Sequence, residues 1–158
     1  MLLFQKHKSI SVEQEDRIVK IDVHFKDYFH EMNSFITVNL DTKVILSAEA
    51  KMTAAPWDLC YEVLSKMEEL VGLRIQKGIN EQVQKILSGA DGCVHLVELT
   101  NDTITTVVQL VDFHRMPKEM PYKEKMQKIK EINKGICHTY NSTERTPKLL
   151  SENTQSQI

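Results

Sequence analysis

Long apolar runs, paired cysteines and an excess of one charge are all missing from this 158-residue sequence. No run approaches the ~18 residues that a membrane-spanning helix requires. Met1-Leu2-Leu3-Phe4 gives way at once to Gln5, Lys6 and His7, which is no signal-peptide core. Three cysteines at wide spacing cannot form a closed disulfide framework and fit reduced thiols. The expected compartment is therefore cytoplasmic. Twenty Lys and Arg against 22 Asp and Glu leave a net charge of −2, without the basic excess that marks nucleic-acid binders or anionic-membrane binders. Five glycines and four prolines are too few for a low-complexity chain. The sequence also holds no Cys-x-x-Cys pair, His-Glu-x-x-His helix, phosphate-binding glycine loop or Gly-x-Ser-x-Gly elbow. What remains is ordinary globular composition, 41% hydrophobic and 27% charged, enough for one domain with its own core.

The first third reads in period two. Val19, Ile21, Val23 and Phe25 alternate with Lys20, Asp22, His24 and Lys26, and Ile36, Val38 and Leu40 alternate with Thr37 and Asn39. After the polar break Asp41-Thr42-Lys43, the alternation resumes with Val44, Leu46, Ala48, Ala50 and Met52 on one side. Alternating runs around a short polar turn predict an antiparallel hairpin, with Leu2–Val12 as a further edge strand. At Pro56 the period changes. Cys60, Leu64, Met67 and Val71 fall on one helical stripe, ended by Gly72, and Asn80 opens a second helix around Val83, Ile86 and Leu87. Cys93 to about Phe113 is the longest helix, and Tyr122–Lys134 is an amphipathic helix around Met126, Ile129 and Ile132. Strands followed by helices give an α+β fold: an antiparallel sheet from the N-terminal third, packed on one face by three to four C-terminal helices. A single domain is expected over residues 1–138, with a polar, flexible tail over 139–158.

The chemistry concentrates at Gly89-Ala90-Asp91-Gly92-Cys93-Val94-His95-Leu96-Val97-Glu98-Leu99. This segment delivers a cysteine to a helix N-terminus, where unpaired N–H groups and the positive dipole end favour a thiolate. His95 and Glu98, three residues apart on that helix, can act as metal ligand, acid or base, with Asp102 one turn on. The structural reading stands beside the chemical one. Cys93 shares the apolar stripe of Val97, Ile104 and Val111, while His95, Glu98, Asp102, Thr106 and Gln109 form an arc that a helix ordinarily solvates. In a regular helix Cys93 and His95 point about 200° apart, so they meet only if Cys93 sits at the cap. Cys60 lies on an apolar stripe. Cys137 precedes His138 near the end of the last helix.

Around Cys93 the sequence resembles an uncharacterised bacterial family, defined only as a domain of unknown function and marked by Gly-Cys-Thr-His-Leu-x-Glu-Leu. Here the motif reads Gly92-Cys93-Val94-His95-Leu96-Val97-Glu98-Leu99, with Val94 in place of threonine. The family's His-x-Met matches His30-Glu31-Met32, its Pro-x-x-x-Cys matches Pro56 to Cys60, and its Leu-x-Gly-Leu matches Leu70-Val71-Gly72-Leu73. Its late cysteine corresponds to Cys137-His138-Thr139-Tyr140. The resemblance runs from about Phe29 to Tyr140 and implies no activity. The order of elements also resembles iron–sulfur scaffold and sulfur-acceptor proteins, without their multi-cysteine loops.

Three functions follow as expectations. The first is a cysteine/histidine site for metal or sulfur handling, with Cys60, Cys93, His95 and Cys137 as candidate metal ligands and a metal ion or iron–sulfur cluster as cofactor. The second is a non-catalytic binding or assembly protein, a homo-oligomer or a partner-binding module, in which the cysteines are core residues. The third is a small-molecule enzyme with His95 and Glu98 as acid and base, Cys93 completing the candidate catalytic set. Neither nucleic acid nor membrane is an expected partner.

Overall fold

A computed structural model describes residues 1–141; the end of the expected tail, residues 142–158, lies outside them. The chain divides into two compact units, Met1–Val111 and a second that begins at Asp112. In the first, strands β1 (His7–Glu15), β2 (Ile18–Lys26), β3 (Glu31–Asn39) and β4 (Val44–Ala54) form an antiparallel sheet in the order β1-β2-β3-β4. A 3-10 helix (Asp58–Leu70) and helices α1 (Ile79–Leu87) and α2 (Val94–His114) follow. The α+β architecture expected from the change of period is the observed one. No helix among the described residues is long and apolar enough to cross a membrane.

One face of the sheet carries the core. Val19, Ile21, Val23 and Phe25 of β2 lie opposite Val38, Ile36, Ser34 and Met32 of β3, and all eight are buried. Because side chains alternate across a strand, this face belongs to every second residue. The pattern breaks in β4. Thr37 pairs with Ser47 and Val38 with Ile45, so Leu46 is an extra residue, a β-bulge. One extra residue reverses the parity, which buries Ile45 and exposes Leu46, against the simple alternation through Val44 and Leu46.

The segment after Pro56 also departs from an α-helical stripe. It is a 3-10 helix, whose three-residue period aligns Leu64, Met67 and Leu70. Met67 and Leu70 are buried, whereas Val71, expected on a stripe of period 3.6, is exposed. Cys60 packs half-buried against the core. In α2 the buried face centres on Leu96, Leu99, Thr100, Thr103 and Val107, with Val97, Ile104 and Val111 at its margin. The two threonines hide this centre in the sequence. Thr103 Oγ1 donates to the Leu99 carbonyl at 3.2 Å, and Thr100 Oγ1 lies 3.9 Å from Met67 Sδ, which lets both hydroxyls enter an apolar face.

In the second unit, α3 spans Tyr122–Ile132 and α4 spans His138–Asn141. Ile129 is buried and Ile132 exposed, so the expected stripe covers less of α3 than its apolar spacing suggests. Asn133 Nδ2 donates to Asp112 Oδ2 at 2.9 Å and to the Ile129 carbonyl at 3.0 Å.

The bulge makes a direct prediction. Ile45→Ala, which empties a buried site, should cost about 2–5 kcal/mol. Leu46→Ala, on the exposed side, should stay within about 0.5 kcal/mol. Urea midpoints of the two variants measure the difference, and a β4 without the bulge would reverse their order.

Candidate functional site

The hairpin joining β2 to β3 is built by its aspartate. Asp27 Oδ1 accepts from the backbone N–H of Phe29 at 2.8 Å and of His30 at 2.7 Å, while Asp27 N–H donates to the His30 carbonyl at 2.9 Å. An aspartate that bonds the backbone two and three residues on is a common way to hold such a turn. The same Oδ1 meets His30 Nδ1 at 3.2 Å. Both side chains are well covered, 7% exposed for Asp27 and 15% for His30.

Helix α2 brings the third group. His95 stacks on Phe25 with ring centroids 5.0 Å apart and lies 4.3 Å from the His30 ring. Asp27, His30 and His95 thus offer one oxygen and two nitrogens, all within 4.8 Å of one another. Among the described residues these three are the group that can hold a metal ion.

The loop before α2 explains how Cys93 reaches this place. Gly89 turns the chain with φ +86°, and Gly92 N–H donates back to the Gly89 carbonyl at 3.2 Å. A Cβ on Gly92 would stand 2.3 Å from the Leu87 carbonyl oxygen, so only glycine fits. Cys93 N–H then donates to that Leu87 oxygen at 2.7 Å, and its own carbonyl accepts from Val97 at 3.2 Å. Cys93 therefore stands at the cap, just before Val94, the condition under which it can approach His95. Its Sγ lies 3.9 Å from His95 Nδ1.

Charge sets the protonation of the site. Burial, reinforced by the neighbouring His30, holds the His95 pKa below the ordinary histidine value and outweighs the opposing pull of Asp27 and Glu98. For Asp27, burial favours the neutral acid, but the two backbone N–H groups and His30 outweigh it and keep the carboxyl below the usual range. A neutral imidazole and an ionised carboxylate are the forms that bind metals.

Glu98 is engaged elsewhere. Lys6 Nζ reaches its two oxygens at 2.8 and 2.7 Å, and Lys8 Nζ bridges Glu98 Oε1 at 3.0 Å and Asp102 Oδ2 at 2.5 Å. Burial opposes the charge on Glu98, yet the two lysines outweigh it and hold its pKa low. Of the residues singled out in the sequence, the structure brings together Cys93 and His95. Cys60 lies against the core and Cys137 is exposed; neither belongs to the three-residue group. Sequence reasoning missed Asp27 and took up His30 only as part of the His30-Glu31-Met32 match. The available signals were an aspartate three residues before a histidine at a strand end, and the His30-Glu31-Met32 match.

Two measurements test this geometry. Gly92→Ala should destabilise the fold by about 1–3 kcal/mol, because the new methyl meets backbone rather than a side chain that can rotate. The second concerns pH, with metal removed by chelator. A histidine with a depressed folded pKa contributes stability in full above its unfolded value of about 6.5, and loses it as pH falls through the lower folded value. Urea midpoints of the wild type should therefore rise with pH through that window. His95→Gln should flatten the rise.

A family described as "Protein of unknown function (DUF2889)" matches residues 5–109. That span is most of the first unit, from the residues before β1 to within α2, and takes in Asp27, His30, Cys93 and His95. The chain belongs to this family. No curated protein and no solved structure matches it.

Proposed function

We propose that this member of the DUF2889 family is a metal-binding protein that holds a divalent transition ion through Asp27, His30 and His95, with Cys93 as an adjoining thiol. The observation that carries the reading is the convergence of one carboxylate and two imidazoles from two separate parts of the chain, half-buried and within 4.8 Å. Tetrahedral ligation at about 2.1 Å puts donors about 3.4 Å apart, a contraction that small side-chain rotations supply.

Two imidazoles and a carboxylate leave at least one coordination position open, the pattern of sites that act on a bound water or substrate rather than closed structural sites. Zinc suits this donor set best, because a thiol stands beside it and a soft sulfur ligand favours that ion. The acid–base reading with Glu98 is weaker. A carboxylate held ionised by two lysines is poorly placed to trade a proton near neutral pH. Cys60 and Cys137 have no part in the proposed ligand set.

Titration calorimetry of chelator-treated protein with Zn²⁺ tests the reading. One ion per chain is expected. His30→Ala and His95→Ala should each abolish tight binding, and Asp27→Asn should weaken it by about 10–100-fold. Cys60→Ser and Cys137→Ser should bind as the wild type does. Substituting Co²⁺ reports on the thiol: a near-ultraviolet sulfur-to-cobalt band absent from Cys93→Ser would make Cys93 the fourth ligand. Undiminished affinity in the double variant His30→Ala/His95→Ala would overturn the site.

A further inference from the structure

The two edges of the sheet are treated differently. Along β4 the chain returns at residues 72–75: Ile45 N–H donates to the Leu73 carbonyl at 2.9 Å, Gly72 N–H to the Ile45 carbonyl at 2.9 Å, and Ile75 N–H to the Lys43 carbonyl at 2.8 Å. Val44 also bridges Arg74. The start of that edge, Lys43–Ile45, is thereby covered. Strand β1, the other edge, has all nine residues exposed and pairs only with β2 among the described residues. A long, exposed, proline-free edge strand is a ready template for another strand.

Its apolar residues are on the side that should be buried. Ile10 pairs with Val23 and Val12 with Ile21, so these residues project from the core face. Yet Val23 and Ile21 are buried, while Ile10 and Val12 are 45% and 37% exposed. The core face therefore continues onto β1 without cover.

We infer that β1 pairs antiparallel with β1 of a second copy about a two-fold axis at Ser11, joining the two sheets into one of eight strands. The sequence of the strand is complementary to itself in this register. His7 falls opposite Glu15 of the partner, Lys8 opposite Gln14, Ser9 opposite Glu13, Ile10 opposite Val12 and Ser11 opposite Ser11. The basic end of each strand meets the acidic end of the other, and four β-branched side chains from Ile10 and Val12 form one apolar cluster on the core face. A parallel pairing would instead set Glu13 against Glu13 and Glu15 against Glu15. A closed two-fold pair also consumes the β1 edge of each copy, which stops association through this strand at two.

The inference is independent of the metal site and is tested with chelator present, so that a bridging ion cannot produce the result. Sedimentation of the full chain at micromolar concentrations should give twice the chain mass. Val12→Lys and Ile10→Lys should return it to a monomer with an unchanged circular dichroism spectrum. The register is read by cross-linking. Ser11→Cys should form a disulfide dimer under mild oxidation, because the axis sets this residue against its own copy at cross-strand distance. Ser9→Cys and Glu13→Cys should link to each other when mixed, and neither should link alone beyond the wild-type background from the native cysteines. A monomeric wild type overturns the inference. So does a dimer that persists in both lysine variants, or one in which Ser9→Cys alone links as readily as Ser11→Cys.

Discussion

Everything in the first unit depends on covering the core face of β2 and β3. Val19, Ile21, Val23, Phe25, Met32, Ile36 and Val38 are essentially inaccessible, and Leu96, Leu99 and Val107 of α2 share their core. A fully buried side chain of this kind contributes roughly 1.5–3 kcal/mol, so the set outweighs anything else that holds α2 in place. The ion pairs of Lys6 and Lys8 with Glu98 and Asp102 are about a third exposed, and such pairs bring about 0–1 kcal/mol each. Apolar packing thus decides where α2 lies. The lysines refine the position of its first turns against β1.

The candidate site is a by-product of that docking. Once Leu96 and Leu99 are in the core, His95 stands at the margin of the buried face, against Phe25. The histidine is then buried enough to stay neutral, and Asp27 is ionised because the turn it builds surrounds it with N–H donors. Two requirements of metal binding, a free imidazole lone pair and a charged carboxylate, are met by forces that act whether or not an ion is present. Gly92 completes the arrangement by letting the loop fold back on Leu87, which sets Cys93 at the cap.

Much of this was legible in the sequence, and the losses have physical causes. The alternation through Val19–Phe25 marked a half-buried strand because each residue there obeys one parity. The stripe through Leu46 failed because a bulge changes parity without changing composition. Val71 was set on the buried stripe in place of Leu70 because apolar spacing of three and of four coexist in that segment, and only its dihedrals choose between them. In α2, Thr103, bonded back to its own helix, and Thr100, set against Met67 Sδ, passed for polar residues. The partnership of His30 with His95 was invisible for a different reason. It is set by the packing of a hairpin against a helix far along the chain, and no local spacing encodes it. Cys93 at a helix start was the part that glycine placement could reveal.

Strand β1 serves two masters on one face. Lys8 reaches the acidic residues of α2, while Ile10 and Val12, one and two steps further along that face, are left bare. The divide falls just past the Lys8–Asp102 pair, and the rest of the edge is exposed. A strand meant only for solvent would carry charge at positions 10 and 12, as its opposite face does at Glu13 and Glu15. The apolar pair is better explained as the continuation of a core whose remaining cover is supplied from outside the monomer.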